Sequence, residues 1–187
     1  MFSRSPQPYL TLAFDTTGEV LFGAAPGGQN VPVFKVQIQK DEPHLIICRL
    51  PPPGAWTANP STLGTIRLHR SPSSKIDVSL HGHEFMLKRD LLKSDNHHFE
   101  FPSLGRFKWK PDPWGGHSLK LYDDAQRLIA KYKGKSFKKS QIELFVQASE
   151  QLVDLVTVTG LGMQLFTMRE NEEDDIFFDI LDTVMGG

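Results

Sequence analysis

Cysteine is nearly absent from this 187-residue chain: Cys48 stands alone. That excludes a disulfide framework, so a fold of this length must rest on its apolar core. It also fits a reducing compartment, and the expected location is cytoplasmic, with peripheral association at membranes as an option. Cys48 lies in the apolar stretch Leu45–Leu50 and reads as an inert core residue.

Long apolar runs are equally scarce. The N-terminus has prolines at 6 and 8 and no apolar stretch after Arg4, so it does not read as a secretory signal. The greasiest segment, Leu152–Met168, contains Asp154, Gln164, three threonines and two glycines. A spanning helix needs about 20 predominantly apolar residues, and a charge inside it is costly in lipid. Phosphate-loop signatures are missing too: Gly27-Gly28 and Gly115-Gly116 lack the required context and read as turns. Asp123-Asp124 and Asp174-Asp175 are adjacent pairs whose side chains diverge, so neither forms an acid–base couple. His81-Gly-His83 lacks the further ligands of a metal site and reads as a turn. No catalytic residue, metal or cofactor is assigned.

Basic residues are nearly missing from the last quarter of the chain. Residues 1–140 hold 20 Lys/Arg against 12 Asp/Glu, a net of +8; residues 141–187 hold one Arg against 10 Asp/Glu, a net of −9. The total of −1 therefore conceals two segregated charges. With a pI near 6.7 and no recognised motif, nucleic acid is not an expected partner.

Turn formers, by contrast, are plentiful, with 15 Gly and 13 Pro. Between Tyr9 and Val146 they separate about eleven short runs, several alternating with period two: Ile76/Val78/Leu80, Phe107/Trp109 and Leu119/Leu121 among them. Close, even spacing of such runs marks an all-β sandwich or barrel. The pattern changes at Ser149, a helix N-cap followed by Glu150. Apolar residues then fall on every side of a helix over 149–169, which must be buried. Gly160 and Gly162 admit a close neighbour there. Closing the sheet into a barrel around this helix removes exposed strand edges and hides the all-round apolar surface. The expected class is mainly β: a closed antiparallel barrel of 11–12 strands around a C-terminal helix. One domain spans 1–170, and an acidic tail follows over 171–187. Within that tail Ile176–Leu181 is an apolar coda, helix or strand.

The segments Phe107-Lys-Trp-Lys110, Trp114-Gly-Gly, Leu119-Lys-Leu-Tyr-Asp123, Leu128-Ile-Ala-Lys-Tyr132, Ile142-Glu-Leu-Phe145 and Leu152–Met163 carry a resemblance. Over about residues 60–170 the chain resembles the tubby C-terminal-like superfamily, which includes tubby proteins, scramblases and LURP-one-related proteins. It looks most like small fungal members of unknown function. The resemblance implies a barrel around a helix. It implies no single function, because tubby proteins bind phosphoinositides and scramblases act at membranes.

The strongest charge signal is Arg127, Lys131, Lys133, Lys135, Lys138 and Lys139, with no acid between 127 and 140. Residues 132–140 read as a hairpin loop that approaches anionic head groups, with Phe137 inserting into the interface. The bland alternative is a solvated hairpin whose lysines protect a strand edge. Lys108 and Lys110 flank Trp109 on the other strand face and extend the basic surface if that face is outside. Two function classes follow. One is a module binding anionic phospholipid or phosphoinositide. The other is a structural or regulatory protein-interaction domain, whose tail 170–187 docks on a partner or on the basic body.

Overall fold

Period-two alternation becomes the wall of a barrel. The computed structural model describes residues 6–52, 54–55, 59–70, 72–90 and 95–170. The tail beyond Glu170, with its apolar coda, lies outside the described residues. The strands are β1 (Leu10–Phe14), β2 (Val20–Ala24), β3 (Val31–Ile38), β4 (Leu45–Arg49), β5 (Ser61–Leu68) and β6 (Ile76–Leu80). The series continues with β7 (His83–Arg89), β8 (His97–Phe101), β9 (Gly105–Pro111), β10 (Leu119–Asp123), β11 (Leu128–Lys133) and β12 (Gln141–Leu144). Each pairs antiparallel with its sequence neighbours, and β1 closes on β12 with Leu10 opposite Leu144. Ile76, Val78 and Leu80 point inward while Asp77 and Ser79 point out. Closure leaves the twelve-strand wall without an edge strand, and its shortest seam is β7–β8, where Lys88 pairs with His98 and Arg89 with His97.

The sequence of β2, VLFGA, carries no alternation of apolar and polar residues although its burial alternates. In β2 the inward residues are Leu21 and Gly23, so a single apolar side chain marks the buried face. A Cβ on Gly23 would lie 2.9 Å from a Val33 methyl, which is why no side chain stands there. Cys48 also departs from expectation. Leu45 and Ile47 take the inner face of β4, so Cys48 is half-buried on the outer face rather than in the core.

The helix α1 (Glu150–Glu170) runs inside this wall. The Ser149 hydroxyl accepts the Leu152 N–H at 3.2 Å, the cap expected from the sequence. Residues 154–166 are buried without a break. Gly160 faces Trp109 and Tyr132 on one wall, and Gly162 faces Ile66 and Ile76 on another. Buried threonine hydroxyls are satisfied within the helix: Thr157 and Thr159 donate to the carbonyls of Val153 and Leu155 at 2.8 and 2.7 Å. Each fully buried Leu or Ile contributes about 1.5–3 kcal/mol, and that packing holds a helix whose valines, threonines and glycines have modest intrinsic propensity. No helix among the described residues is long and apolar enough to cross a membrane.

Both helix ends are clamped by charge. At the start, Asp154, 1% exposed, accepts from Arg49 and sits 2.9 Å from the His81 ring. Burial raises the Asp154 pKa, while Arg49 and His81 pull it back. At the end, the buried Arg169 guanidinium donates to the carbonyls of His69 and Ser73.

Candidate anion-binding cleft

Antiparallel order puts alternate hairpins at opposite ends of the barrel. The β1–β2, β5–β6, β9–β10 and β11–β12 connections share the rim where α1 ends; the β6–β7 and β10–β11 turns lie at the rim where it starts. The contacts of Arg169 with the β5–β6 loop and of Asp154 with the β6–β7 turn agree with this.

This geometry divides the six predicted cations. Arg127 lies in the β10–β11 turn, on the helix-entry rim, with its guanidinium on Asp123 at 2.7 Å. It is a strand length, about 20 Å, from the β11–β12 loop. Lys131 turns to Asp112 at 2.9 Å, and Lys133 to Glu143 at 2.6 Å. Lys138 lays its stem against the β1–β2 turn at Gly18, where a φ of +80° and the absent Cβ make room. Lys135 and Lys139 remain exposed and have no carboxylate partner among the described residues. Lys108 and Lys110 face outward, on Asp90 at 3.1 Å and on Gln126 at 3.1 Å.

Phe137 takes the opposite direction from the one expected. It is 4% exposed and packs edge-on against Phe14, ring centroids 5.6 Å apart. Phe137–Lys139 forms a single 3-10 turn. Successive side chains there splay by a third of a turn, so presenting both lysines to solvent drives the phenyl ring into the core. Insertion of Phe137 into an interface is therefore corrected to a packing role.

The lysines border a shallow cleft of about 640 Å³ between the β9–β10 and β11–β12 loops. Its lining includes Lys133, Lys135 and Lys139 with the polar His117, Ser118, Ser140 and Gln141, and the Gly115-Gly116 backbone stands opposite. Gln164 fixes the far side from inside the barrel, donating to the Lys135 carbonyl at 3.0 Å. A second groove of about 600 Å³ lies on the outer wall. It holds Glu42, Asp77 and Glu84, and its Arg67 pairs with both Asp77 and Glu42. The first is lined by three lysines and no carboxylate, which favours an anion, whereas the second mixes both signs.

The near loop is braced by a residue that carries no signal in the sequence. Asp112 is buried, and its carboxylate accepts from Lys131 at 2.9 Å, from Lys120 at 3.1 Å and from the Trp114 N–H at 3.3 Å. Those bonds, Lys131's first, hold its pKa down at about 2. The Asp112 N–H donates to Ser118 and the Gly115 N–H to Asp112, at 2.8 and 3.1 Å. A Cβ on Gly115 would strike the Asp112 carboxylate at 2.6 Å, and Gly116 has φ +65°, so both glycines are required. The flanking prolines 111 and 113 were the one hint of a rigid loop.

The fold and cleft define a class: a closed twelve-strand antiparallel barrel with an internal helix and a lysine-bordered cleft on the rim where that helix ends. Residues 27–166 match the Family of unknown function (DUF6593), and the chain belongs to that family. The match runs from the β2–β3 connection into α1, three-quarters of the chain. No curated protein and no solved structure matches it.

Proposed function

We propose that this chain is a non-enzymatic, tubby-like domain that binds anionic phospholipid or phosphoinositide head groups in the cleft between the β9–β10 and β11–β12 loops. The observation that carries this reading is the pair Lys135 and Lys139, exposed on a concave surface without carboxylate partners among the described residues. A cleft of about 640 Å³ is of a size that takes a small polar ligand. Each lysine near an acidic membrane contributes about 1 kcal/mol, so two give roughly a thirtyfold preference. The barrel threaded by a helix supports the tubby-like grouping. Co-sedimentation with phosphatidylcholine vesicles, with and without phosphatidylserine or phosphoinositide, tests the reading. Anionic vesicles pull the protein down and neutral ones do not; equal partitioning, or none, sinks it.

A second reading is a protein-interaction domain without lipid activity, its acidic tail docked on a partner or on the barrel itself. It is favoured by one position: α1 ends at Glu170 on the rim that bears the cleft. Glu170 also lines a smaller pocket with Gly116, His117 and Ser118 of the β9–β10 loop. The same vesicle assay separates the two readings.

A further inference from the structure

Two lysines alone hold a barrel on a membrane weakly, and the same rim carries a second kind of contact. Trp114 is 95% exposed at the tip of the β9–β10 loop. Among the described residues the other exposed large apolar side chains, Tyr9 and Val31, stand at the opposite rim, at the starts of β1 and β3. The indole therefore projects from the rim of the cleft and of Lys135 and Lys139, and Gly115 and Gly116 beside it form the cleft wall. Single exposed apolar side chains are common and usually mean nothing. This one is different because of its mounting. Pro113 fixes the backbone before it. The Asp112 carboxylate holds its N–H at 3.3 Å, and Ser118 Oγ closes the loop on the Gly115 carbonyl at 2.8 Å. A side chain held out by a braced loop loses little backbone freedom on binding.

We propose that Trp114 is a membrane anchor: the barrel docks by its helix-exit rim onto an anionic bilayer, with the indole at head-group depth beside a lipid phosphate in the cleft. The proposal rests on the lipid reading of the cleft. The chemistry fits a bilayer surface, since tryptophan favours the interface where one edge is apolar and the N–H is wet. Lysines on the same rim add attraction to anionic lipid, and an apolar contact together with a basic patch gives the two signals that stable anchoring needs.

The test uses the full chain, phosphatidylcholine–phosphatidylserine vesicles with brominated acyl chains, and soluble inositol hexakisphosphate as the head-group probe. Bromine quenches tryptophan only on contact. Wild-type fluorescence falls on vesicle binding, whereas Trp114→Phe, which keeps Trp56 and the buried Trp109, shows no such fall. Trp114→Ala weakens vesicle binding on the order of tenfold, the weight of one partly buried aromatic side chain, and binds the soluble probe as wild type does. Lys135→Ala with Lys139→Ala weakens both. Equal quenching in Trp114→Phe, or unchanged vesicle affinity in Trp114→Ala, overturns the anchor. If wild type binds the soluble probe but no vesicle, the anchor fails and the anion cleft stands. If it binds neither, both fall. Thermal melts identify any variant that has lost its fold.

Discussion

The indole N–H of Trp109 donates to the hydroxyl of Thr159 at 3.1 Å, joining the barrel wall to the helix inside it. Both residues are fully buried. Thr159→Val keeps the side-chain shape but leaves the indole N–H unsatisfied in an apolar core. The expected loss is about 1–3 kcal/mol, read from urea unfolding. Trp109→Phe removes that donor in advance. The double variant should therefore lose less than the sum of the two single losses, and strict additivity would show that the bond contributes nothing.

Two buried glycines should respond very differently to a methyl group. At Gly160 a Cβ would meet Trp109 and Tyr132 at 3.4–3.5 Å, ordinary contact. Gly160→Ala should thus stay within about 1 kcal/mol of wild type, because the gain in helix propensity offsets the tighter fit. At Gly64 the same atom would lie 2.5 Å from the Ser79 carbonyl oxygen, part of the neighbouring strand's backbone. Gly64→Ala should cost about 3 kcal/mol or more, since a strand must shift. Thermal melts of the two variants decide it; comparable melting temperatures would contradict the geometry.

Residues whose environment follows from local pattern were legible in the sequence. The period-two runs became strands. Ser149 became the cap, and an apolar stretch too interrupted to span a membrane became the helix inside the barrel. The candidate site was legible only in outline. Six cations looked like one cluster because they are close in sequence, but a hairpin carries Arg127 to the far rim and tertiary pairing occupies Lys131 and Lys133. Asp112 meets its partners eight and nineteen residues on, across strands, and no spacing rule reveals that. The burial of Phe137 is hidden from the sequence for a similar reason: its partner Phe14 lies on the first strand, which only barrel closure brings near.

Buried carboxylates give the protein opposing pH responses. The Asp112 pKa lies near 2, below its unfolded value of 3.8. Its contribution is therefore complete above about pH 4 and is lost as pH falls toward 2. Asp112→Asn should remove about 2 kcal/mol at neutral pH and abolish that part of the acid limb. Asp154 has a raised pKa, with burial the largest cause. Its contribution is full below the unfolded carboxylate range and is lost as pH rises through the folded value. The stability gap between wild type and Asp112→Asn should accordingly widen with pH, and the gap for Asp154→Asn should narrow. Urea midpoints across an acid-to-neutral series measure both; slopes of the same sign would refute the assignment.

The charge asymmetry of the chain predicts how the cleft is controlled. The segment 171–187 carries six acids and no Lys or Arg, so removing it takes the net charge from −1 to +5. Its first residue follows Glu170, on the rim that bears Lys135 and Lys139. Charges within about 10 Å interact appreciably at 0.1 M salt, and a tail tethered at that rim raises the local concentration of carboxylates beside the cleft. Truncation after Glu170 should raise affinity for anionic vesicles several-fold at low salt, and the gain should shrink as salt rises. A full-length variant with the six tail acids changed to Asn or Gln separates charge from bulk. If it matches the truncation, carboxylates compete with lipid for the lysines. If it behaves like wild type while truncation still raises binding, the tail acts by covering the cleft sterically. If truncation changes nothing, the tail and the cleft do not meet, and the two halves of the charge act independently.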